Sequence, residues 1–294
     1  MKQRDLRPTY GSEITGLDAR AAVEDTDQRR ELQELLDHRG LLVFKDLDID
    51  QLAQTNLARM LIDLPPIREL PEGRMGTDPF YVSNKRPDGG APYGRLLYHS
   101  DTMWSEDPIK VLSLYAVDVE QPVVPTAFVS TVHGWSTLSD DLRDRVDGLH
   151  ATHGHDDRYP EREMDDDDVL RMTFEQAKIA TTPIAHRHPR TGQTMLYVSQ
   201  QITMRIDELP PDDSEALLQD LFAHMYQPAF VYEHAWENGD LVAWDNLAVQ
   251  HARPNLTRDG PVRTLRKVFA PMPERISQKA HPKFAPAASG SSGV

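Results

Sequence analysis

Two side chains in the stretch Leu96-Leu97-Tyr98-His99-Ser100-Asp101-Thr102-Met103-Trp104 set the first chemical question. An imidazole and a carboxylate one residue apart supply two thirds of a 2-His-1-carboxylate facial triad, the arrangement that holds non-heme Fe(II). In a strand, positions i and i+2 share a face, so His99 and Asp101 are expected side by side. A facial triad closes across a fold, so the third ligand must be distant in sequence. His251 is the best candidate, at the end of Trp244-Asp245-Asn246-Leu247-Ala248-Val249-Gln250-His251.

His-x-Asp alone is a weak signal, and the chain holds a second copy at His155-Asp156-Asp157. The contexts differ. His155 sits among charged residues, whereas His99 follows an apolar run that can provide a dry surround for a redox metal. A buried His–Asp hydrogen bond is the alternative reading of His99 and Asp101. His186 and His188 lie at a turn and are expected to be exposed. His133, His150, His153 and His224 lack a ligand partner at useful spacing and read as structural.

Composition narrows the options. The chain has 294 residues, no cysteine and a formal net charge of -15. Without cysteine there is no disulfide, thiolate nucleophile or iron–sulfur site, and any metal must be held by His, Asp or Glu. The acidic balance argues against a nucleic-acid surface, which needs a basic patch. No apolar run reaches the roughly 20 residues that span a bilayer, and the first residues lack a signal-like apolar core. A cytoplasmic protein acting on a small molecule, with no membrane or nucleic-acid partner, is the expectation.

The elements that must position these residues are legible from periodicity. Helices are predicted over 17–39, 49–62, 133–149 and 214–226. Strands are predicted at 41–44, 81–84, 111–117, 126–131, 230–234, 241–244 and 266–270, with a hairpin from 182–186 to 194–198 around Pro189-Arg190-Thr191-Gly192. Many short strands with helices outside them predict an α+β fold, a double-stranded β-helix or jelly roll with a cupin-like core. One domain over residues 1–284 and a disordered tail over 285–294 are expected. No GxGxxG or Walker A motif is present. The loop at 85–95 and the acidic segment 154–168 are candidate lids.

Taken in order, four features resemble the taurine dioxygenase/TfdA-like family of Fe(II)- and 2-oxoglutarate-dependent dioxygenases over roughly residues 10–275. They are His99-x-Asp101 with Trp104 and Pro108 downstream, Thr126 opening a strand, Gly239-Asp240-Leu241-Val242-Ala243-Trp244-Asp245-Asn246 running to His251, and Arg263-Thr264-Leu265-Arg266-Lys267. The resemblance implies His99, Asp101 and His251 as iron ligands, with Arg263 and Thr126 on the distal carboxylate of 2-oxoglutarate. It further implies O2 as co-substrate, succinate and CO2 as products, hydroxylation of an unactivated C–H, and a homodimer or homotetramer. A guanidinium fork suits a carboxylate.

Two positions depart from the family. Val123-Val124-Pro125-Thr126 replaces the usual Gly-Gly-Asp-Thr, and Lys267 replaces the second terminal arginine, which puts sulfonate recognition in doubt. Arg266 is expected on the opposite face of its strand, at the surface or in a salt bridge. Tyr81, Asn84, Tyr98 and Lys267 are the candidate substrate contacts, around a small organic and anionic substrate. Asp245 and Asn246 are candidates for orienting the ligands or for forming a turn. The rival readings are a non-catalytic cupin-like binding module and a zinc-type hydrolase. Neither gives Thr126 and Arg263 a role, and no HExxH is present.

Overall fold

In a computed structural model, residues 1–70, 80–155, 169–170, 172–174, 178–271 and 278–280 are described. The expected tail and most of the acidic segment 154–168 lie outside them. A seven-stranded sheet runs in the order Lys2–Asp5, Ser12–Thr15, Leu41–Phe44, Leu241–Asp245, Val111–Val119, Arg263–Ala270, Phe80–Ser83. A four-stranded sheet runs Tyr232–His234, Thr126–Ser130, Val249–Leu256, Gly94–His99. All their ladders are antiparallel except the parallel pairing of Ser12–Thr15 with Leu41–Phe44. Together they form the expected jelly roll.

Alternation along the strands builds two cores. Leu112, Leu114, Val242, Trp244, Leu265 and Phe269 meet Phe128 and Val249 between the two sheets. The opposite face of the large sheet carries Leu42, Phe44, Val268 and Ala270 against Leu32, Leu36 and Leu57 of the helices. Both tryptophans of the inter-sheet layer, Trp236 and Trp244, are fully buried. Each removes about 2–3 kcal/mol worth of apolar surface from water.

Local chemistry corrects several predicted boundaries. The helix expected over 17–39 is two helices, Ala19–Glu24 and Thr26–Arg39, because Asp25 ends the first and its carboxylate caps the second at Asp27 N and Gln28 N. Gly40 closes the second helix at φ 68°. A Cβ there would lie 2.9 Å from Val249 Cγ2, so contact and conformation both require glycine. The helix expected over 133–149 is also two, Thr131–Ser136 and Asp140–Val146, the second capped by Ser139.

The predicted hairpin is shorter than expected. Ala185–Arg187 pairs with Thr194–Leu196, while Lys178–Pro183 joins a separate sheet with His150–His155 and Thr203–Ile206, strands that polar composition hid. Helix Pro211–Met225 packs Leu217, Leu218 and Leu221 outside the small sheet.

Candidate metal centre

His99 ends strand Gly94–His99 and lies directly opposite His251 of the neighbouring strand Val249–Leu256. Antiparallel register therefore brings the two imidazoles together, with ring centroids 4.2 Å apart. His99 Nδ1 sits 2.7 Å from Leu97 O, which places the proton on that nitrogen and leaves Nε2 with a free lone pair. His99 Nε2 is 3.3 Å and His251 Nε2 3.9 Å from Asp101 Oδ1. One ligand atom from each residue falls within a 4.8 Å cluster, a group able to hold a metal ion.

The carboxylate does not arrive by strand alternation. The strand stops at His99, and Asp101 opens a turn in which Thr102 adopts φ 58°. That left-handed conformation is costly for a β-branched residue and is held by its surroundings. Thr102 Oγ1 accepts from Ile109 N at 2.8 Å. Asn246 secures Asp101 itself: its Oδ1 accepts from Asp101 N at 2.9 Å, and its Nδ2 donates to Asp101 O and Ile109 O, both at 2.8 Å. Asp245 Oδ1 accepts from Leu247 N and Ala248 N, so this pair serves both as turn former and as support for a ligand.

Charge is concentrated here. Burial disfavours the Asp101 anion, but Lys267, in a close ion pair with its Oδ2, and the two histidines outweigh that and hold it well below the usual carboxylate range. Burial, with His99 adding to it, pushes His251 well below the usual imidazole range, so its ring is a neutral donor suited to a cation.

Strand Arg263–Ala270 turns Arg263, Leu265, Lys267 and Phe269 toward the inter-sheet space. Arg263 donates from Nη2 to Thr126 Oγ1 at 2.8 Å and from Nε to Val124 O at 2.9 Å. Trp236 Nε1 also donates to Thr126 Oγ1, at 3.1 Å. With both lone pairs engaged, the threonine hydroxyl proton is directed at a further acceptor. Arg263 Nη1 is buried and has no hydrogen-bond partner among the described residues. Arg263 Nη1 and the Thr126 hydroxyl are thus donors able to receive a carboxylate. Burial and the neighbouring Arg253 pull Arg263 well below its ordinary range, so an anion beside it would relieve the cost of its burial. The residues fit a dicarboxylate at one end and a metal at the other.

The remaining predicted contacts divide. Lys267 is at the centre, on Asp101 rather than open. Tyr81 is not: it pairs with Arg266 on the helix-side face, under the Arg86 guanidinium at 4.0 Å. Its neighbour Phe80 stands opposite Lys267 instead, a one-residue error of register. Tyr98 faces away from His99 and stacks on Tyr226, with centroids 4.2 Å apart. Asn84 spends its amide on the backbone, donating to Thr257 O and Pro261 O and accepting from Arg263 N, so it positions Arg263. Arg266 does face the other way, but it is buried rather than at the surface, donating to Gln54 Oε1 and Ile49 O. His188 is likewise buried, not exposed.

Arg253 escaped sequence reading, although its place two residues beyond His251 in one strand was a usable signal. It donates to Ala91 O, Tyr93 O and Gly94 O. Together with Gly90, whose amide donates to Tyr81 O at 2.7 Å, it ties the 85–94 loop down as a wall beside Phe80. Trp236 offered no signal.

This jelly roll with a His/Asp/His cluster and an Arg263–Thr126 pair beside it defines a class, and comparison with known proteins agrees. A profile described as "Taurine catabolism dioxygenase TauD, TfdA family" matches residues 2–269. The alpha-ketoglutarate-dependent 2,4-dichlorophenoxyacetate dioxygenase of Cupriavidus pinatubonensis is 26% identical over 261 residues, covering 84% of this chain and 89% of that protein. Pentalenolactone F synthase of Streptomyces avermitilis is 28% identical over 267 residues, covering 83% and 85%. Among solved structures, AAD-2 in complex with Mn(II) and N-oxalylglycine superposes with a TM-score of 0.71 at 25% identity, covering 91% of this chain and 96% of that one. A taurine dioxygenase from Burkholderia xenovorans, 22% identical and covering 91% and 89%, has the same TM-score and shares the fold. The chain belongs to the TauD/TfdA family and is a 2-oxoglutarate-dependent, non-heme iron dioxygenase.

Proposed function

We propose that His99, Asp101 and His251 hold the Fe(II), that Arg263 and Thr126 receive the distal carboxylate of 2-oxoglutarate, and that the enzyme hydroxylates a C–H bond of a small organic anion. The observation that carries this is the buried Arg263 Nη1, which has no hydrogen-bond partner among the described residues, on a guanidinium that also holds Thr126 Oγ1 and lies on the same inner strand face as the lysine that touches Asp101. A binding module or a zinc hydrolase has no use for that cradle.

When bound, the metal and 2-oxoglutarate would supply, with O2 as the oxidant, oxidative decarboxylation to succinate and CO2 and the oxidising power to break an unactivated C–H bond, one oxygen atom going to succinate and the other to the substrate. The protein supplies position. Leu97 O fixes the His99 tautomer, Asn246 fixes the Asp101 backbone, and Lys267 engages Asp101 Oδ2 so that Oδ1 faces the two histidines. Arg263 and Thr126 set the orientation of the co-substrate. Phe128 and Trp244, packed 6.5 and 4.9 Å from the His251 ring, keep water from its inner side.

Charge supports an anionic substrate. Among the described residues, three cations, Arg253, Arg263 and Lys267, stand against the single carboxylate Asp101 in this centre. The two charges of 2-oxoglutarate balance that excess, and the metal then leaves a positive surplus for a substrate acid. The pairing of Lys267 with Phe80 and Phe269 places an ammonium beside apolar rings, which suits an organic acid with a hydrophobic body.

The test is anaerobic addition of Fe(II) and then 2-oxoglutarate to metal-free protein, followed in the visible range. A weak charge-transfer band from the chelate, lost in His99→Ala and shifted to higher 2-oxoglutarate concentration in Arg263→Gln, is expected. Fe(II) binding with no band at saturating 2-oxoglutarate would overturn the assignment.

A further inference from the structure

Asp101 is held by its main chain, through Asn246, and Asn246 is in turn held by a residue outside the metal centre. The preceding residue, Asp245, is buried and lies on the turn that carries the chain from strand Leu241–Asp245 to strand Val249–Leu256. Its Oδ1 accepts from Leu247 N and Ala248 N at 3.0 and 3.1 Å. Its Oδ2 lies 3.1 Å from His188 Nε2 and 2.8 Å from Arg190 Nη2. Both partners belong to the turn beyond strand Ala185–Arg187, a hairpin remote from the metal ligands in sequence.

The cluster is fixed from three sides. His188 Nδ1 accepts from Arg190 N and Thr191 N at 3.2 and 3.1 Å, so Nε2 carries the proton and faces Asp245. Arg190 also makes a close ion pair with Asp37 of helix Thr26–Arg39. Burial opposes the Asp245 anion, but His188 and then Arg190 hold it below its ordinary carboxylate value, so it stays a charged anchor. A rigid carboxylate at Asp245 fixes the following peptide, and Asn246 satisfies both amide N–H groups and its carbonyl on Asp101 and Ile109.

We propose that His188 and Arg190 are positioning residues for the metal centre, acting through Asp245 and Asn246 on Asp101. The hairpin turn and helix Thr26–Arg39 then serve as a brace that keeps the Asp101 oxygen in register with His99 and His251. The inference rests on those three residues being the metal ligands.

Stoichiometric Mn(II) binding, read from the free-ion electron paramagnetic resonance signal, tests it together with thermal melting of the metal-free protein. Arg190→Gln and His188→Ala are expected to melt cooperatively and to bind Mn(II) about 10- to 100-fold more weakly, the usual effect of removing an outer partner of a ligand. His188→Gln, whose amide can still donate to Asp245, is expected to recover most of that loss. A purely structural contact would lower the melting temperature of all three and leave Mn(II) affinity alone. Folded Arg190→Gln and His188→Ala proteins that bind Mn(II) within twofold of the parent would overturn the brace. Should either variant fail to fold, Asp37→Asn, which removes only the outer hold on Arg190, carries the test: weaker binding is expected, and unchanged binding overturns the brace. Failure of the parent to bind one Mn(II) per chain would instead overturn the ligand assignment and the brace with it.

Discussion

Lys267 engages Asp101 Oδ2, while Asp101 Oδ1 faces His99 Nε2 and His251 Nε2. The two oxygens of one carboxylate thus have different duties, and the lysine at the place of the family's second arginine is coupled to the metal centre. An ammonium is a compact charge that can serve Asp101 and a nearby anion together, without the planar fork of arginine.

Lys267→Met should therefore act twice. Loss of the cation is expected to raise KM for an anionic substrate about 10- to 100-fold, the scale of one charged hydrogen bond. Decarboxylation of 2-oxoglutarate should become uncoupled from substrate oxidation. Succinate formed per product formed is the measurement; a ratio still at one would remove Lys267 from substrate handling.

Arg263→Gln should weaken 2-oxoglutarate by about 1.5–3 kcal/mol, the worth of a hydrogen bond to a charged group. Thr126→Val should cost about 0.5–1.5 kcal/mol on the same scale. Titration of the charge-transfer band under anaerobic conditions gives both numbers. Equal losses in the two variants would contradict a charged fork as the main holder.

Acid should weaken the metal-free fold through its buried histidines. His153 is fully buried between Thr203 Oγ1 and Thr182 Oγ1, and burial, with His186 nearby, lowers it to about 3. Its folded value lies below its unfolded value of about 6.5, so the unfolded chain binds the extra proton first. Stability is full above pH 6.5 and falls by up to about 1.4 kcal/mol per pH unit below it, until the folded value is reached. Urea midpoints between pH 7.5 and 5 should show this slope, and His153→Gln should reduce it, leaving the share of the buried His251. Carboxylates held low, such as Asp245, contribute only below about pH 4.

Gly40→Ala should cost about 1–3 kcal/mol, since it places a side chain at φ 68° and 2.9 Å from Val249 Cγ2. Val249 begins the strand that carries His251, so weaker Mn(II) binding should accompany the loss. Denaturation and metal titration of the same protein check both parts.

The sequence by itself determined the strands with strong alternation, the jelly roll they imply, and His99, Asp101 and His251 as the residues that the fold gathers into one cluster. Residue type and order are local properties, and a strand's two faces follow from its period of two. The tertiary structure decided which face looks inward and where strands end. Tyr81 and Phe80 differ by one position, and only pairing with Lys267 and Arg266 chooses between them. Asp101 enters the centre because the chain turns after His99, a turn set by Thr102 and by Asn246 from far along the chain. Thr126 became half of a cradle only when Trp236 took its second lone pair. Such hydrogen bonds join residues more than a hundred positions apart, and no local pattern encodes a partner at that distance. His188 makes the same point: polar and at a turn, it reads as exposed, yet folding buries it with Nε2 3.1 Å from Asp245 Oδ2 and Nδ1 accepting from two backbone N–H groups.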